Sequence, residues 1–516
     1  MLGGFGKAMN LGPTVTPPDG AGKREISGPR TAIRAPLSVA IGGNINLRIA
    51  SSRWRRHKRH RSFSYPRHPA AMSLLATIAA ELRAQPPIPV RTDRAEIDRL
   101  YRHWRLRVMY AMTTGYALFY FLRKNLSMAA KAITDEFHFS NTQWGVVLSV
   151  ATIVYAFSKF FSGVVGDRAN PRYLLALGLL GSAIVNLFFG FGASLGFFIV
   201  LWAINNLFQG AGVPPCVRLL TSWYSPKEIG RAWGMWNASH QLGGAVIAVW
   251  AGWLVTHYGW RSAFWVPALV CVVGAFWLLN RLTDSPESMG LPAVEIYREG
   301  APAGSVADVN APFWGLFKRY ILANPDVWLV SIANFFVYIV RIGILDWAPK
   351  YLQEAKGFKL SEAGWSLSGF EVAGIFGAYA AGWLSDKVFK GQRGPVSVAF
   401  MLFLIVAVAA LFAVPRGQVM TMGVVLVALG FFVYGPQMLI AVAAADFATK
   451  AAASSAVGLT GLLGYLGASV CGVTTGVLAD RFGWDGVLWF YGGSAVIGCA
   501  LLALTWTSRP QTGTAM

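Results

Sequence analysis

The chain contains 516 residues, of which 55% are hydrophobic and 13% charged, and its formal net charge is +21. This composition is typical of a membrane protein with many spans and not of a soluble domain. The cysteines lie inside apolar segments and form no Cys-x-x-Cys or Cys/His cluster, so we expect neither a metal site nor a disulfide framework. They are Cys216, Cys271, Cys471 and Cys499.

The N-terminal segment is strongly basic. Residues 1–71 contain 13 Lys and Arg against two acidic residues, and they are rich in Pro, Gly and Ser without periodicity. We therefore predict that residues 1–100 form a disordered cytoplasmic tail. Binding of nucleic acid or anionic lipid by the basic run 53–61 is a weaker alternative, and we expect no nucleic-acid partner. We also expect no cleavable signal peptide, and initiation at Met72, which would leave 1–71 untranslated, stays an alternative.

Twelve apolar segments follow, each of about 20 residues, which is long enough to cross ~30 Å of hydrocarbon as a helix. They predict an N-terminal six-helix half (101–281), a cytoplasmic linker (282–325), a C-terminal six-helix half (326–508) and a cytoplasmic tail (509–516). The predicted spans are 106–126, 142–165, 173–192, 196–220, 232–256, 262–280, 326–348, 362–385, 395–414, 418–445, 455–479 and 485–507.

The connections between these segments differ in charge. Most of the Lys and Arg residues lie in the even-numbered connections, such as Arg168 and Arg172 after the second segment. Cytoplasmic loops of membrane proteins carry an excess of positive charge. We therefore expect a multi-pass membrane protein, in contact with the lipid bilayer, with both termini in the cytoplasm.

Three short motifs occur once in each half and in the same order. Tyr-x-x-Arg ends at Arg123 and again at Arg341, and an Asp followed by a basic residue closes the second and eighth segments. Gly-Trp follows the fifth and eleventh segments, at 259–260 and 483–484. Repeats in parallel order predict two halves related by an axis along the membrane normal, with a substrate site near the midplane between them. Arg123 and Arg341 are then expected on opposite sides of one cavity.

The two arginines are the strongest functional candidates. An arginine within hydrocarbon costs at least ~2.5–3.5 kcal/mol and usually faces an interior cavity. Its planar guanidinium is suited to bidentate binding of phosphate or carboxylate. The motif pair therefore predicts a binding site for an anion.

Other polar residues interrupt the apolar segments. Lys159 and Glu371 are candidates for the cavity, with snorkelling or structural pairing as the alternative. His240 is a candidate ligand or a hydrogen-bonded packing residue. Tyr116, Tyr120 and Tyr338 share a helix face with the arginine that follows them, and they either assist anion binding or pack. A conformational latch at the cytoplasmic face is predicted from Asp167, Arg168, Asp386 and Lys387.

Several of these stretches resemble the organophosphate:phosphate antiporter family of the major facilitator superfamily. The resemblance extends from about Glu96 to Trp506. It is carried by 115–125 (Gly-Tyr-Ala-Leu-Phe-Tyr-Phe-Leu-Arg-Lys-Asn), 158–160, 167–172, 209–216, 236–240 (Trp-Asn-Ala-Ser-His), 341–347 and 434–439. It is strongest to the bacterial hexose-phosphate sensor branch, on residues 96–105, 115–121, 432–440 and 443–445.

The resemblance implies roles for individual residues. Arg123 and Arg341 would bind phosphate, His240 would contact it, and Lys159 would line the pathway. Five tyrosines would line the cavity: Tyr116, Tyr120, Tyr338, Tyr434 and Tyr465. Hexose-phosphate carriers of the family have an acidic and a basic residue in the eleventh helix, where this chain has Val457 and Thr460. A smaller phosphate ester, such as glycerol 3-phosphate or phosphoglycerate, therefore stays open as the substrate.

The sequence thus predicts an all-α membrane protein with the twelve-helix major facilitator fold, without catalytic residues or cofactor. No Gly-x-x-x-x-Gly-Lys-Ser/Thr loop is present. The first hypothesis is a transporter that exchanges an organic phosphate for inorganic phosphate. The second is a sensor of hexose phosphate that signals to a membrane histidine kinase. Proton-coupled drug efflux is weaker, because two fixed cations suit an anionic substrate.

Overall fold

The computed structural model describes residues 82–166, 168–300, 318–448 and 452–508. This part of the chain is helical, and the one β pairing within it is an isolated bridge between Arg83 and Ala169. Some of the predictions above lie outside the described residues. They concern the first 81 residues, Asp167, the central part of the linker (301–317) and the tail (509–516).

Six helices form the N-terminal half. The fourth is interrupted between Gln209 and Val213, where a turn that contains Gly210 and Gly212 precedes two prolines. The helices are α1 (Arg94–Phe137), α2 (Asn141–Gly166), α3 (Pro171–Phe189), α4 (Leu195–Gln209, continued by Val213–Trp223), α5 (Ile229–Tyr258) and α6 (Ser262–Arg281).

The C-terminal half repeats this arrangement. Its last helix, Ala453–Ala503, is broken at Gly483, where φ is 68° and ψ is −171°, a backbone conformation that glycine adopts at little cost. We number the two parts α11 (453–482) and α12 (484–503). The preceding helices are α7 (Pro325–Glu354), α8 (Leu360–Trp383), α9 (Gly394–Ala413) and α10 (Val419–Phe447).

Eight helices in the described part of the chain are long and apolar enough to span a membrane by composition alone. One of them, 455–503, contains both α11 and α12. The three remaining helices, α1, α5 and α8, carry Arg123, His240 and Glu371, respectively, and are less apolar for that reason among others. The prediction of twelve helices in two halves is confirmed by this architecture together with the family assignment given below.

The first helix begins earlier than its predicted span. Asp93 is the N-cap, its side chain accepts a hydrogen bond from the backbone N–H of Ala95, and Glu96 lies in the first turn. Residues 94–100 are therefore helical, which corrects the expectation of a disordered tail for that stretch. Polar capping signals outweighed the low hydrophobicity of this turn.

The two ends of the helix bundle differ in how the halves meet. We call distal the end where α1 joins α2, and proximal the end where α2 joins α3. Buried apolar residues of the distal N-terminal half, such as Trp144 and Ile247, share one cluster with residues of the C-terminal half, such as Ile344. Proximal residues of the N-terminal half, such as Leu175 and Trp223, cluster only with one another. The halves are therefore packed together distally.

Polar contacts reinforce the distal closure. Asp480 at the end of α11 accepts hydrogen bonds from the backbone N–H groups of Asn141 and Thr142, at 3.0 and 2.7 Å, and so caps α2 from the other half. Deeper in the same interface, the hydroxyl of Ser149 donates to the carbonyl oxygen of Ser469 at 2.5 Å. These contacts hold α2 against α11.

Candidate substrate-binding site

Arg123 lies in α1 with its guanidinium over aromatic rings. Its Cζ is 3.9 Å from the ring centroid of Tyr155 and 5.7 Å from that of Tyr120. Such contacts are favourable electrostatically but leave the positive charge uncompensated. Within the described residues Arg123 has no acidic partner. Its charge is therefore available to an anion.

Arg341 in α7 has different surroundings. Its side chain is 5% exposed, and its Nη2 donates to the hydroxyl of Tyr434 at 3.2 Å. That hydroxyl donates in turn to Oε2 of Glu371 at 2.5 Å. The Nε of Arg341 and Oε1 of Glu371 are buried without a hydrogen-bond partner among the described residues. Arg341 is thus coupled to the Glu371 carboxylate through Tyr434, and its Nε can still donate a hydrogen bond.

One chain of ring contacts joins the two arginines through His240. The rings of Tyr120 and His240 lie 5.5 Å apart, and those of His240 and Tyr434 lie 6.1 Å apart. The ring of Tyr120 lies 5.7 Å from the guanidinium of Arg123, and the ring of Tyr434 lies 4.7 Å from the guanidinium of Arg341. His240 in α5 therefore stands between the halves.

A second chain of contacts joins them on the other side. Tyr155 packs on Tyr465 with 5.0 Å between ring centroids, and Tyr465 packs on Tyr338 at 5.5 Å. Tyr338 lies 5.7 Å from the guanidinium of Arg341, and Nζ of Lys159 lies 5.1 Å from the ring of Tyr465. The two chains enclose the space between the arginines.

The structure therefore brings together the residues that the sequence named as candidates for phosphate binding and for the cavity lining. Tyr116 is the outermost member, 5.7 Å from Tyr120 and 5.1 Å from Trp236 between ring centroids. Members of both halves contribute, as the internal repeat predicted. Aromatic faces and a few convergent polar groups are typical of small-molecule sites.

Sequence reasoning missed an ion pair next to this site. Nζ of Lys124 lies 2.6 Å from Oδ1 of Asp346, with side-chain exposures of 8% and 19%. It is the one ion pair in the described part of the chain that joins the two halves. A charged residue directly after Arg123 in an apolar segment was the available signal, but its partner lies in the other half.

A small cavity adjoins this ion pair. Its volume is about 40 Å³, and it lies on the distal side of Arg123. Polar and ionic groups line one part of it and apolar side chains the rest. The polar lining comprises Arg123, Lys124, Thr152, Asn206, Asp346 and Tyr465.

The predicted latch residues that the structure describes form no ion pair across the halves. Asp386 pairs with Arg393 of its own half at 2.5 Å, and Arg393 also pairs with Asp446 at 3.1 Å. Arg168 and Lys387 form no ion pair with described residues, and Asp167 lies outside them. Arg393 is a partner that the sequence reasoning did not name. The latch itself stays a prediction.

The family is decided by a sequence comparison. A model of the Major Facilitator Superfamily matches residues 112–472, which is most of both halves. The chain is a member of the major facilitator superfamily. This major facilitator protein is therefore of a transporter family and not of an enzyme family, as the sequence indicated.

Individual relatives match along most of the chain. The probable hexose phosphate transport protein of Chlamydia trachomatis is 39% identical, covering 83% of this chain and 97% of the relative. The membrane sensor protein UhpC of Escherichia coli is 40% identical, covering 78% and 93%. The glycerol-3-phosphate transporter of Bacillus subtilis is 39% identical, covering 81% and 96%. These relatives confirm the family resemblance drawn from the motifs.

The fold of this major facilitator protein is also found among solved structures. A bacterial homologue of the human lysosomal transporter Spinster superposes with a TM-score of 0.67 over 80% of this chain and 99% of that one. Its sequence is 19% identical, so the likeness concerns the fold alone.

Proposed function

We propose that this major facilitator protein exchanges an organic phosphate for inorganic phosphate by alternating access. The organic phosphate would be a sugar phosphate, glycerol 3-phosphate or phosphoglycerate. Relatives named for transport of hexose phosphate and of glycerol 3-phosphate, each 39% identical, support a phosphate ester as substrate. The proposed location is the bacterial inner membrane, since these relatives are bacterial proteins, and the charge of the loops supports cytoplasmic termini.

The observation that carries the proposal is the pair of arginines from opposite halves. Arg123 has no acidic partner among the described residues, and Arg341 keeps an unpartnered Nε. In the proposed complex both guanidinium groups bind phosphate oxygens, His240 adds a hydrogen bond, and Lys159 guides the anion along the pathway. A phosphate held from both sides would draw the halves together.

Alternating access requires the distal contacts to break and proximal contacts to form. In the proposed cycle the present arrangement opens the site toward the cytoplasm. Phosphate binding then favours closure of the proximal end, where Asp386 and Lys387 would meet Asp167 and Arg168 or adjacent helix ends. Exchange follows if the empty carrier reorients slowly.

The proposal is tested by phosphate exchange in proteoliposomes loaded with unlabelled phosphate. Arg123→Lys and Arg341→Lys are expected to reduce uptake of labelled phosphate at least about tenfold, because lysine lacks the bidentate guanidinium. Arg261→Lys is the matched control, since Arg261 pairs with Glu136 at the distal surface at 2.8 Å and lies away from the site. Wild-type uptake in both site variants would refute the assignment.

A second candidate function is supported by one relative in particular. The membrane sensor protein UhpC is 40% identical, so this chain could instead report a hexose phosphate to a membrane histidine kinase. Tight phosphate binding without exchange in the same proteoliposomes would favour the sensor. Competition by a panel of phosphate esters then identifies the ligand in either case.

A further inference from the structure

A network of buried side-chain amides lies behind Arg123, inside the N-terminal half. Asn125 in α1, Asn186 in α3 and Asn205 in α4 are each 0% exposed, and Gln209 is 2% exposed. Nδ2 of Asn125 donates to Oδ1 of Asn186 at 2.9 Å, and Nδ2 of Asn186 donates to Oδ1 of Asn205 at 3.0 Å. The hydroxyl of Ser182 also donates to Oδ1 of Asn205, at 2.5 Å. The network thus connects three helices.

Two side chains of this network donate to backbone carbonyl groups of a single turn of α1. Nδ2 of Asn205 donates to the carbonyl oxygen of Leu122 at 2.9 Å. Nδ2 of Asn186 lies 3.3 Å from the same oxygen, but its two hydrogens have nearer acceptors in Oδ1 of Asn205 and the carbonyl oxygen of Ser182, at 3.0 and 2.9 Å. Nε2 of Gln209 donates to the carbonyl oxygen of Phe119 at 3.0 Å. The Leu122 carbonyl belongs to the peptide unit that joins Leu122 to Arg123. The amide of Asn205 therefore fixes the peptide plane from which the arginine projects.

Stabilisation of the helix bundle does not by itself explain why these amides are buried. Hydrogen bonds between membrane helices contribute little each, because the competing states also find partners. Burial of four amides carries a desolvation cost, and Oδ1 of Asn125 remains buried without a partner among the described residues. Polar groups of this cost within a membrane usually have a function.

The pseudo-equivalent arginine has no such support. By the register of the Tyr-x-x-Arg repeat, Val337 and Val340 in α7 correspond to Phe119 and Leu122. In the described structure no side chain donates to their carbonyl oxygens. Arg341 is held instead through its guanidinium, by Tyr434. Within the described residues the guanidinium of Arg123 has ring faces beside it and no hydrogen-bond partner, so its position depends on its backbone.

We propose that Asn205 is a positioning residue for Arg123: its bond to the Leu122 carbonyl keeps the arginine aimed between the halves, and Asn186 holds the Asn205 amide in place. Gln209 supports the same turn of α1 three residues earlier, at the carbonyl oxygen of Phe119. This inference rests on the proposed function, because the anion that Arg123 receives is taken to be phosphate. It does not require that phosphate be transported, so it holds equally for a carrier and a sensor.

The first test is phosphate affinity of the purified full chain in nanodiscs. Asn205→Leu keeps the side-chain size but removes the donor to Leu122 and the acceptor shared by Ser182 and Asn186. We expect the Kd for inorganic phosphate to rise about tenfold, since small displacements of a positioned group are costly. Gln209→Met is a milder variant with the same expected direction, and it decides the question if Asn205→Leu does not fold.

A matched control separates positioning from general stability. The hydroxyl of Ser262 donates to the carbonyl oxygen of Gly259 at 2.7 Å in the same half, away from Arg123. Ser262→Ala should lower the thermal midpoint comparably to Asn205→Leu but leave the phosphate Kd unchanged. An unchanged Kd in Asn205→Leu and Gln209→Met, or an equal rise in Ser262→Ala, overturns the proposal.

A second measurement does not depend on phosphate. Arg123→Cys and Arg341→Cys are made in chains whose native cysteines are replaced by alanine, and the rate of reaction with a methanethiosulfonate reagent is measured. Adding Asn205→Leu should change the rate about threefold or more at position 123, because that turn is released, and leave position 341 unchanged. Equal rates at 123 overturn the positioning role. If the wild-type chain binds no phosphate, the proposed function fails, and this measurement alone decides the positioning role.

Discussion

The Lys124–Asp346 ion pair allows a direct test of distal opening, through Asp346→Asn. Removing one partner of a buried pair costs 3–5 kcal/mol in general, and since Asp346 is 19% exposed we take ~2–3 kcal/mol. The penalty applies to the closed state, because Lys124 would be hydrated once the distal end opens. The equilibrium should therefore shift toward the open state by about 30–140-fold.

Labelling of a cysteine in the distal interface measures this shift. Ser469→Cys introduces the thiol next to Ser149, and an impermeant reagent is applied from the distal side. Labelling should be faster when Asp346→Asn is added, and the double change Lys124→Gln with Asp346→Asn should return most of the way to the wild-type rate. Asp135→Asn is the control, because Asp135 pairs with Lys131 within α1. Equal labelling with and without Asp346→Asn would refute the reasoning.

Two further changes have defined outcomes. Tyr434→Phe removes the hydroxyl between Arg341 and Glu371, so the two charges are free to pair directly and phosphate binding measured by calorimetry should weaken about tenfold or more. Glu228 lies outside the membrane spans, and Nη2 of Arg298 donates to its Oε1 at 2.5 Å. Burial raises the pKa of Glu228, but hydrogen bonds from Arg298 and Arg105 outweigh this effect and hold the pKa below 4.5. Glu228→Gln should therefore lower the unfolding free energy by ~1 kcal/mol at neutral pH. In chemical denaturation the difference should shrink as the pH falls below about 4.5 and vanish once the wild-type carboxylate is protonated in the folded chain as well.

The halves and the central arginines were predictable because they depend on local sequence. A span needs only length and hydrophobicity, and the repeat of Tyr-x-x-Arg places Arg123 and Arg341 without knowledge of packing. His240 was predictable for the same reason, as a polar residue within an apolar helix. Local patterns of this kind predict the same feature whatever the tertiary packing of the chain.

Partnerships between distant residues were not predictable in this way. Lys124 and Asp346 pair across the halves, and the choice of Tyr155 for the guanidinium of Arg123 depends on the angle at which α2 crosses α1. Asn205 and Asn186 likewise looked like ordinary polar residues in apolar helices. What their amides contact is set by tertiary packing, which no spacing along one helix encodes.

The two arginines occupy equivalent positions in the repeat but unequal electrostatic surroundings. Arg341 already shares its charge with Glu371 through Tyr434, whereas Arg123 is surrounded by neutral rings. An anion between them therefore gains the attraction of Arg123 without losing another contact, but at Arg341 it competes with a carboxylate. Strict symmetry of two uncompensated cations would hold the anion tightly in every state. In the proposed exchange, the inequality would lower that affinity on the side of the C-terminal half, so that the anion is released as readily as it is bound.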